Sequence, residues 1–356
     1  MRSGNNCMDR KVFFLVIILI NQFCFSQSKT LSKIDNLGTE SEVQSFIRSC
    51  SKSKEDYLSE FELKTIQSFD ESHYDIPEQL KKAADSLGVT KSFYKGDFDH
   101  NGKNDLLFIG DNKSCQGFSP NLKETFSCNS SVNIIFDLGK SYHLQSLKFQ
   151  QHHFVVPIPI KINDKDYIKV IIQDNPHDSD TAQYGIAFDI LSKILMYRFN
   201  NFLEYNPQPA NHSIQQIIYE TEMCYGFCPI FKLELNKTGN SKFYADSYNF
   251  IDSKNPKSIR KAIGKIQKDN KNFETLIHEN DFLELENLLN YIDFENLKDD
   301  YAVTWTDDQT SVLKIIYDNG KVKTIKDYGL SGTYGLKLLY QKLFDLRFNQ
   351  DWRKIK

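Results

Sequence analysis

The chain has 356 residues, of which 40% are hydrophobic and 13% aromatic, a composition that supports packed cores and excludes global disorder. Its formal net charge is −3 and its basic residues form no stripe, so the sequence argues against a nucleic-acid partner. The length favours two domains over one.

The N-terminus has the pattern of a secretory signal peptide. A charged segment, 9–11, precedes the apolar residues 12–20, and Ser26 supplies a small residue at a cleavage position. The apolar run is shorter than the roughly 20 residues that span a bilayer. We therefore predict that residues 1–26 are removed, leaving no transmembrane helix, and that the protein is periplasmic, cell-surface or secreted. A lipid anchor at Cys24 is the alternative, which the bulky residues before it disfavour.

The mature chain would keep five of the seven cysteines. Export favours disulfides between close pairs, which predicts bridges Cys115–Cys128 and Cys224–Cys228. Cys50 is then unpaired and packs as a small apolar group. Four cysteines allow three connectivities, and spacing alone does not decide among them.

Helical periodicity extends over residues 40–88. The segment ESEVQSFIRSC places Val43, Phe46 and Ile47 on one helix face. The segment YDIPEQLKKAADSLG has a proline in its first turn and ends at Gly88, as helices commonly do. From there to residue 200 the apolar pattern alternates with period two, which predicts a series of mostly antiparallel strands.

One turn among these strands, in KGDFDHNGKNDLLFIGD (95–111), has the spacing of a calcium loop. Oxygen-bearing side chains and one backbone carbonyl alternate around a glycine, the arrangement with which a hard cation collects its ligands. A glutamate at the twelfth position and flanking helices would make an EF-hand, and both are missing. The alternative is a turn that needs no metal. The predicted Ca²⁺ ligands are Asp97, Asp99, Asn101, Asp105 and the carbonyl of Lys103.

This segment resembles the calcium loop of FG-GAP/VCBS-type repeats, whose pattern is D-x-D/N-x-D/N-G-x-x-D followed by an apolar strand. All five defining positions match, with Gly102 at the turn. The repeat recurs several times in propellers and occurs here once. The resemblance therefore implies one metal-bound hairpin and no propeller.

A proline-containing segment, 201–212, predicts a linker between a domain at 27–200 and a second one at 213–352. The second segment contains alternating strands, a hairpin with Asn-Gly at its turn, and helical patterns at 256–268, 282–292 and 334–346. The mixture predicts an α+β chain: N-terminal helices followed by a mainly antiparallel β region, then an antiparallel sheet covered by helices.

The sequence ETEMCYGFCPIF contains a Cys-x-x-x-Cys pair, which is compatible with a structural bridge, half of a metal site or a redox dithiol. We favour the bridge because the pair joins two predicted strands. The motif resembles the T-x-C-Y-G-x-C-P-x-[FY] signature of an uncharacterised domain found in exported bacterial proteins. That resemblance covers about residues 213–352 and implies no activity.

No convergent catalytic set and no common hydrolase motif are present. The segment GLSGTYG (329–335) lacks the lysine of a phosphate-binding loop, and Thr333 as a helix cap explains it better. We therefore predict an exported non-catalytic binding or structural protein, with Ca²⁺ as its one cofactor. A secreted hydrolase and a thiol–disulfide protein using Cys224 and Cys228 are the alternatives. The identity of a protein or envelope ligand does not follow from the sequence.

Overall fold

The structure is a computed structural model that describes residues 32–53, 56–69, 76, 78–111, 131–148, 154–174, 189–252, 255–259, 261–262, 265–266, 269–303 and 305–355. The predicted signal peptide and the predicted bridge Cys115–Cys128 lie outside these ranges. None of the helices in the described ranges is both long and apolar enough to cross a membrane.

The first helix, α1, spans Glu40–Ser49 and covers one face of a five-stranded antiparallel sheet. Thr39 and Glu42 form a reciprocal capping box at its start, and the predicted residues Val43, Phe46 and Ile47 are buried. The strands run in the order β1-β3-β4-β5, and β2 pairs with β3 on the β1 side. They are β1 (Glu62–Leu63), β2 (Phe93–Gly96), β3 (Asp105–Asp111), β4 (Ser131–Asp137) and β5 (Tyr142–Ser146).

Strand β3 is buried on both faces, which explains why its sequence is a continuous apolar run. Leu106 and Phe108 pack towards α1, whereas Leu107 and Ile109 belong to a second core. That second core is shared with helix α2 (Glu78–Ser86) and with another sheet.

This next sheet is a four-stranded antiparallel meander. Its first hairpin turns at Asn163 and Asp164, both with positive φ, as the sequence INDKDY predicts. The strands are β6 (Val155–Ile162), β7 (Lys165–Asp174), β8 (Asp189–Arg198) and β9 (Asn201–Glu204). The predicted linker thus begins with a strand, because β9 pairs with β8.

The C-terminal part forms an eight-stranded sheet in the order β18-β20-β19-β10-β11-β12-β17-β21, antiparallel except for the pair β18–β20. The strands are β10 (Ile214–Thr221), β11 (Ile230–Asn236), β12 (Ser241–Ser247), β17 (Lys271–Thr275), β18 (Asp300–Ala302), β19 (Thr310–Tyr317), β20 (Lys321–Tyr328) and β21 (Arg353–Lys354). A 3₁₀ turn at Ile66–Ser68 and another at Phe294–Asn296 complete the connections.

Two helices pack on this sheet, as predicted: α3 (Glu279–Tyr291) and α4 (Tyr334–Asn349). Alternate residues of β11, including Leu233 and Leu235, are buried with them in one core. The predicted β19–β20 hairpin is confirmed, and its three turn residues, 318–320, all have positive φ. Within the described residues the chain is therefore α+β and mainly antiparallel.

The helix predicted over 256–268 is wrong. Its described residues belong to short paired strands, and Gly264 in the middle of the pattern would cost a helix about 1 kcal/mol. The strands of this region are β13 (Ile251–Asp252), β14 (Asn255–Ile259), β15 (Lys261–Ala262) and β16 (Lys265–Ile266).

The four-stranded and eight-stranded sheets meet at the start of α4. Both oxygens of Glu204, at the end of β9, accept backbone N–H groups of that helix, from Tyr334 at 2.9 Å and Gly335 at 3.0 Å. The Tyr334 hydroxyl donates to the carbonyl of Leu147 at 2.9 Å, and its ring is buried in the core of the first two sheets. These contacts fix the orientation of one sheet against the other.

Candidate functional site

The predicted calcium loop connects β2 to β3. The two strands pair up to Gly96 and Asp105, so residues 97–104 form the whole connection. His100 and Gly102 both have positive φ, at 61° and 88°, which lets the chain reverse direction sharply. The hairpin thus directs alternate side chains of the loop towards its own centre.

Three of the predicted ligands come together. One carboxylate oxygen from each of Asp97, Asp99 and Asp105 lies within 4.8 Å of the other two. Asp105 is fully buried, and its two oxygens accept N–H groups from Phe98, Asp99 and Asp137 at 2.9, 3.3 and 3.0 Å. The backbone therefore fixes the carboxylate on the buried side of the cluster.

Asp97 has an oxygen that the protein leaves unsatisfied. Its Oδ2 accepts the N–H of Gly102 at 2.9 Å, whereas its Oδ1 is buried without a hydrogen-bond partner. An unsatisfied buried carboxylate oxygen costs free energy, because it has lost its water and gained nothing. A cation bound between the three aspartates would supply the missing partner, so the donor set fits a hard divalent ion.

The remaining predicted ligands lie on the same turn. Asn101 Oδ1 accepts the N–H of Lys103 at 2.9 Å, and Asn101 Nδ2 donates to Asp99 Oδ2 at 2.8 Å and to the carbonyl of Asp137 at 3.0 Å. The structure places the Asn101 amide nitrogen, rather than its oxygen, against the aspartate cluster. Lys103 is joined to the turn through its backbone N–H.

The electrostatics of the cluster disfavour three ionised carboxylates. Burial raises the pKa of Asp105 to about 7, and the neighbouring charge of Asp99 adds to the shift. Burial is also the main cause that raises the pKa of Asp99, with a smaller contribution from Asp97. A bound divalent cation reverses this effect because it favours the charged form of each ligand.

Asp166 belongs to the site, although sequence reasoning missed it. Its Oδ2 accepts the N–H of Asp97 at 3.0 Å, and its Oδ1 lies 2.7 Å from Lys161 Nζ. His100 Nε2 is within hydrogen-bond distance, 2.8 Å, of the Asp166 carbonyl oxygen. The loop is thereby tied to the β6–β7 hairpin. The sequence identified that hairpin but carried no signal that the two turns meet.

The second motif forms the predicted bridge. Cys224 and Cys228 are disulfide-bonded, with Cα atoms 5.8 Å apart, and Cys50 is free and half-buried at the end of α1. The bridge lies between β10 and β11, and Cys228 leads into a strand. The helix N-terminus that commonly activates redox cysteines therefore does not follow this pair. A five-residue loop adds about 2 kcal/mol of stability at most.

Gln309, the residue before β19, holds the bridged segment. Its buried amide donates to the carbonyls of Glu222 and Pro229 at 2.7 and 2.8 Å. Thr221 also donates to the Pro229 carbonyl, at 2.8 Å. Both ends of the segment are therefore fixed with or without the sulfur bridge, a feature that the Cys spacing did not reveal.

The glycine-containing segment before α4 is a helix cap, as expected. Thr333 accepts the N–H of Leu336 at 2.9 Å. The two preceding N–H groups, of Tyr334 and Gly335, donate to Glu204, a carboxylate at the helix end where anions bind favourably. The start of this helix is thus satisfied from within the protein.

Residues 215–347 match the model of a family described as a domain of unknown function (DUF6438). This region contains the disulfide and most of the eight-stranded sheet but none of the calcium-loop residues. The predicted relationship of the C-terminal part to a domain of unknown function is confirmed at that level. No curated protein and no solved structure matches the chain.

Proposed function

We propose that the protein is an exported, non-catalytic binding or structural protein whose N-terminal sheet is stabilised by one Ca²⁺ in the β2–β3 loop. The unsatisfied, buried Oδ1 of Asp97, a member of the three-aspartate cluster, carries this proposal. Support for export comes from the charged and apolar N-terminus together with the Cys224–Cys228 disulfide, a bond typical of oxidising compartments.

In this proposal Asp97, Asp99 and Asp105 supply charged oxygens, and Asn101 and the carbonyl of Lys103 complete the set. Calcium takes such oxygens readily because it accepts irregular geometry and six to eight ligands. The Asn101 amide must turn its oxygen towards the ion, which the exposed position of this residue permits. The ion would neutralise carboxylates that otherwise repel one another.

Among the alternatives, a thiol–disulfide role is disfavoured by the position of the bridge between two strands. A hydrolase would need mutually close acids, histidines or nucleophiles in a pocket. Three carboxylates come together in the β2–β3 loop, and they accept backbone hydrogen bonds. Carboxylates held close together by backbone N–H groups are better suited to binding a cation than to transferring protons.

Calcium titration tests the proposal. With monodentate acids and no twelfth-position glutamate, we expect a dissociation constant of about 10⁻⁴ to 10⁻³ M. At ten times the dissociation constant, calcium should raise the free energy of unfolding by about 1.4 kcal/mol and the melting temperature by a few degrees. Isothermal calorimetry and thermal melts with and without a chelator measure both quantities.

The variants Asp97→Asn and Asp99→Asn should abolish the calcium heat and the thermal shift. Asp164→Asn is the matched control, because Asp164 lies in the adjacent β6–β7 turn and asparagine tolerates its positive φ. An absence of heat at millimolar calcium, with a melting temperature that chelator leaves unchanged, would contradict the proposed site.

A further inference from the structure

We propose that a cleft at the end of α1 binds a small anionic amphiphile, a molecule with one anionic head group and a short apolar body. The cleft has a volume of about 550 Å³, within the range of small-molecule sites. It lies between the C-terminal end of α1, the residues Lys52, Asp56 and Leu58, and the edge strand β5. This site is separate from the calcium loop and does not depend on it.

The cleft has an apolar floor and an apolar wall. Leu58 and Ile135 are buried beneath it, and Tyr142 and Leu144 of β5 border it with 41% and 37% of their surfaces exposed. The Tyr142 ring packs edge-on against Phe46, with ring centroids 5.0 Å apart, which fixes one side of the wall. An alkyl chain lying here would remove this apolar surface from water.

The charge of the cleft is positive. Lys33 and Lys52 line it, and across the described part of the chain neither ammonium has a carboxylate within ion-pair distance. Lys33 Nζ instead lies 5.1 Å from the centre of the Phe46 ring. Within the described residues, the two ammonium groups beside the apolar floor therefore form no ion pair.

The acid among the described lining residues, Asp56, bonds to the backbone and forms no ion pair with either lysine. Its two oxygens accept the backbone N–H groups of Lys52 and Leu58 at 2.8 and 3.0 Å. These bonds are the main causes that lower the pKa of Asp56, and the charge of Lys52 adds a smaller contribution. An anionic ligand head would form ion pairs with the two ammonium groups, and its tail would pack on the apolar floor.

Cys50 offers a reporter for occupancy. Its thiol borders the cleft at the C-terminal end of α1 and is half-buried. A ligand in the cleft would shield this thiol from an alkylating reagent. Peptide mapping assigns the alkylation to Cys50, so the other cysteines of the chain do not confuse the measurement.

Calorimetry with octanoate as the probe tests the proposal. We expect sub-millimolar binding of octanoate, and at least roughly tenfold weaker binding of acetate, which lacks the tail, and of octyltrimethylammonium, which reverses the charge. The double variant Lys33→Gln/Lys52→Gln should weaken octanoate binding roughly fivefold to tenfold, because each ammonium is solvent-exposed. Lys82→Gln, an exposed lysine of α2 away from the cleft, is the control.

The two readouts separate the possible outcomes. Octanoate should slow the alkylation of Cys50 in the parent protein and in Lys82→Gln, and should do so less in the double variant. Equal binding of the cationic and anionic amphiphiles would overturn the proposal, as would octanoate heat without protection of Cys50. These measurements are made in calcium and repeated in chelator, so a failure of the calcium site leaves the result interpretable.

Discussion

At the scale of single residues, backbone N–H groups hydrogen-bond the buried carboxylates of Asp105 and Asp327. Asp105 accepts three of them, and Asp327 on β20 accepts those of Ser331 and Gly332 at 3.3 and 2.9 Å. Even so, burial raises the pKa of Asp327 above its ordinary value. Such a group keeps its proton in the folded state at a pH where the unfolded chain has released it.

The substitution Asp327→Asn should therefore change how stability depends on pH. Because the folded state binds the proton more tightly, the free energy of unfolding falls as pH rises from about 4 through the raised pKa. Asparagine is neutral at every pH and keeps an acceptor oxygen. The free energy of unfolding of the variant should therefore fall less steeply with pH. Urea denaturation between pH 4 and 8, in chelator, measures the difference. Parallel pH profiles for parent and variant would contradict the raised pKa.

Site residues whose contacts lie within one turn could be predicted from the sequence. Residues whose contacts join separate parts of the chain could not. The spacing of Asp97, Asp99 and Asp105 is a local signal, and the structure brings these side chains together. Asp166 and Glu204 reach their partners only because separate sheets pack against one another. Nothing in the neighbouring sequence of either residue records that contact.

At the scale of elements, close approach of the backbone decides one position in β3. A Cβ added to Gly110 would lie 1.9 Å from the carbonyl oxygen of Glu62 and 2.7 Å from the ring of Phe61. Those atoms belong to β1 and the residue before it, so the strand pair can form only because residue 110 has no side chain. Glycine at position 110 thus allows β1 to pair with β3 in the five-stranded sheet.

Gly110→Ala should separate β1 from β3 and lower the free energy of unfolding by about 2–3 kcal/mol. Gly38→Ala is the control, because its added Cβ would meet only Glu42 Oε2 at an ordinary 3.6 Å. The control should change stability by less than about 0.5 kcal/mol. Denaturant unfolding of both variants measures the effect, and equal stabilities would show that β1 can move without cost.

Element types followed from periodicity where other local signals agreed with it. In α1 the apolar spacing and the capping box indicate the same helix, and in β19–β20 the turn residues 318–320 agree with the alternating flanks. In 256–268 the apolar residues have helical spacing, but two features weaken a helix there: Gly264, and the repulsion between Lys257, Lys261 and Lys265 at four-residue spacing. The described residues of this segment pair as strands instead. Such pairing depends on a partner strand, which the periodicity of one segment does not show.

At the scale of the whole molecule, Glu204 connects two sheets through the start of α4. Its carboxylate satisfies two N–H groups at the positive end of the helix and also lies 3.1 Å from Lys193 Nζ. The division of the chain at residues 201–212 remains a prediction. If it is correct, this contact couples the unfolding of the two parts.

Glu204→Ala should lower stability by about 1–2 kcal/mol and make the two parts unfold more independently. In differential scanning calorimetry, the melting temperatures of the two parts should then lie further apart in the variant than in the parent protein. Glu284→Ala is the control. Glu284 is an exposed residue of α3, and its ion pair with Lys342 joins two helices that pack on the same eight-stranded sheet. Identical calorimetric traces for the two variants would show that Glu204 does not couple the sheets.

The pairing of β10 with β19 in the eight-stranded sheet has a kinetic consequence. Ile214 faces Tyr317, so the centre of the sheet is completed by segments separated by on the order of a hundred residues of chain. The hairpins on either side, β10–β11 and β19–β20, need only local contacts and can form early. Until the two halves join, β10 has an unpaired apolar edge, which makes the refolding chain prone to intermolecular strand pairing at high concentration.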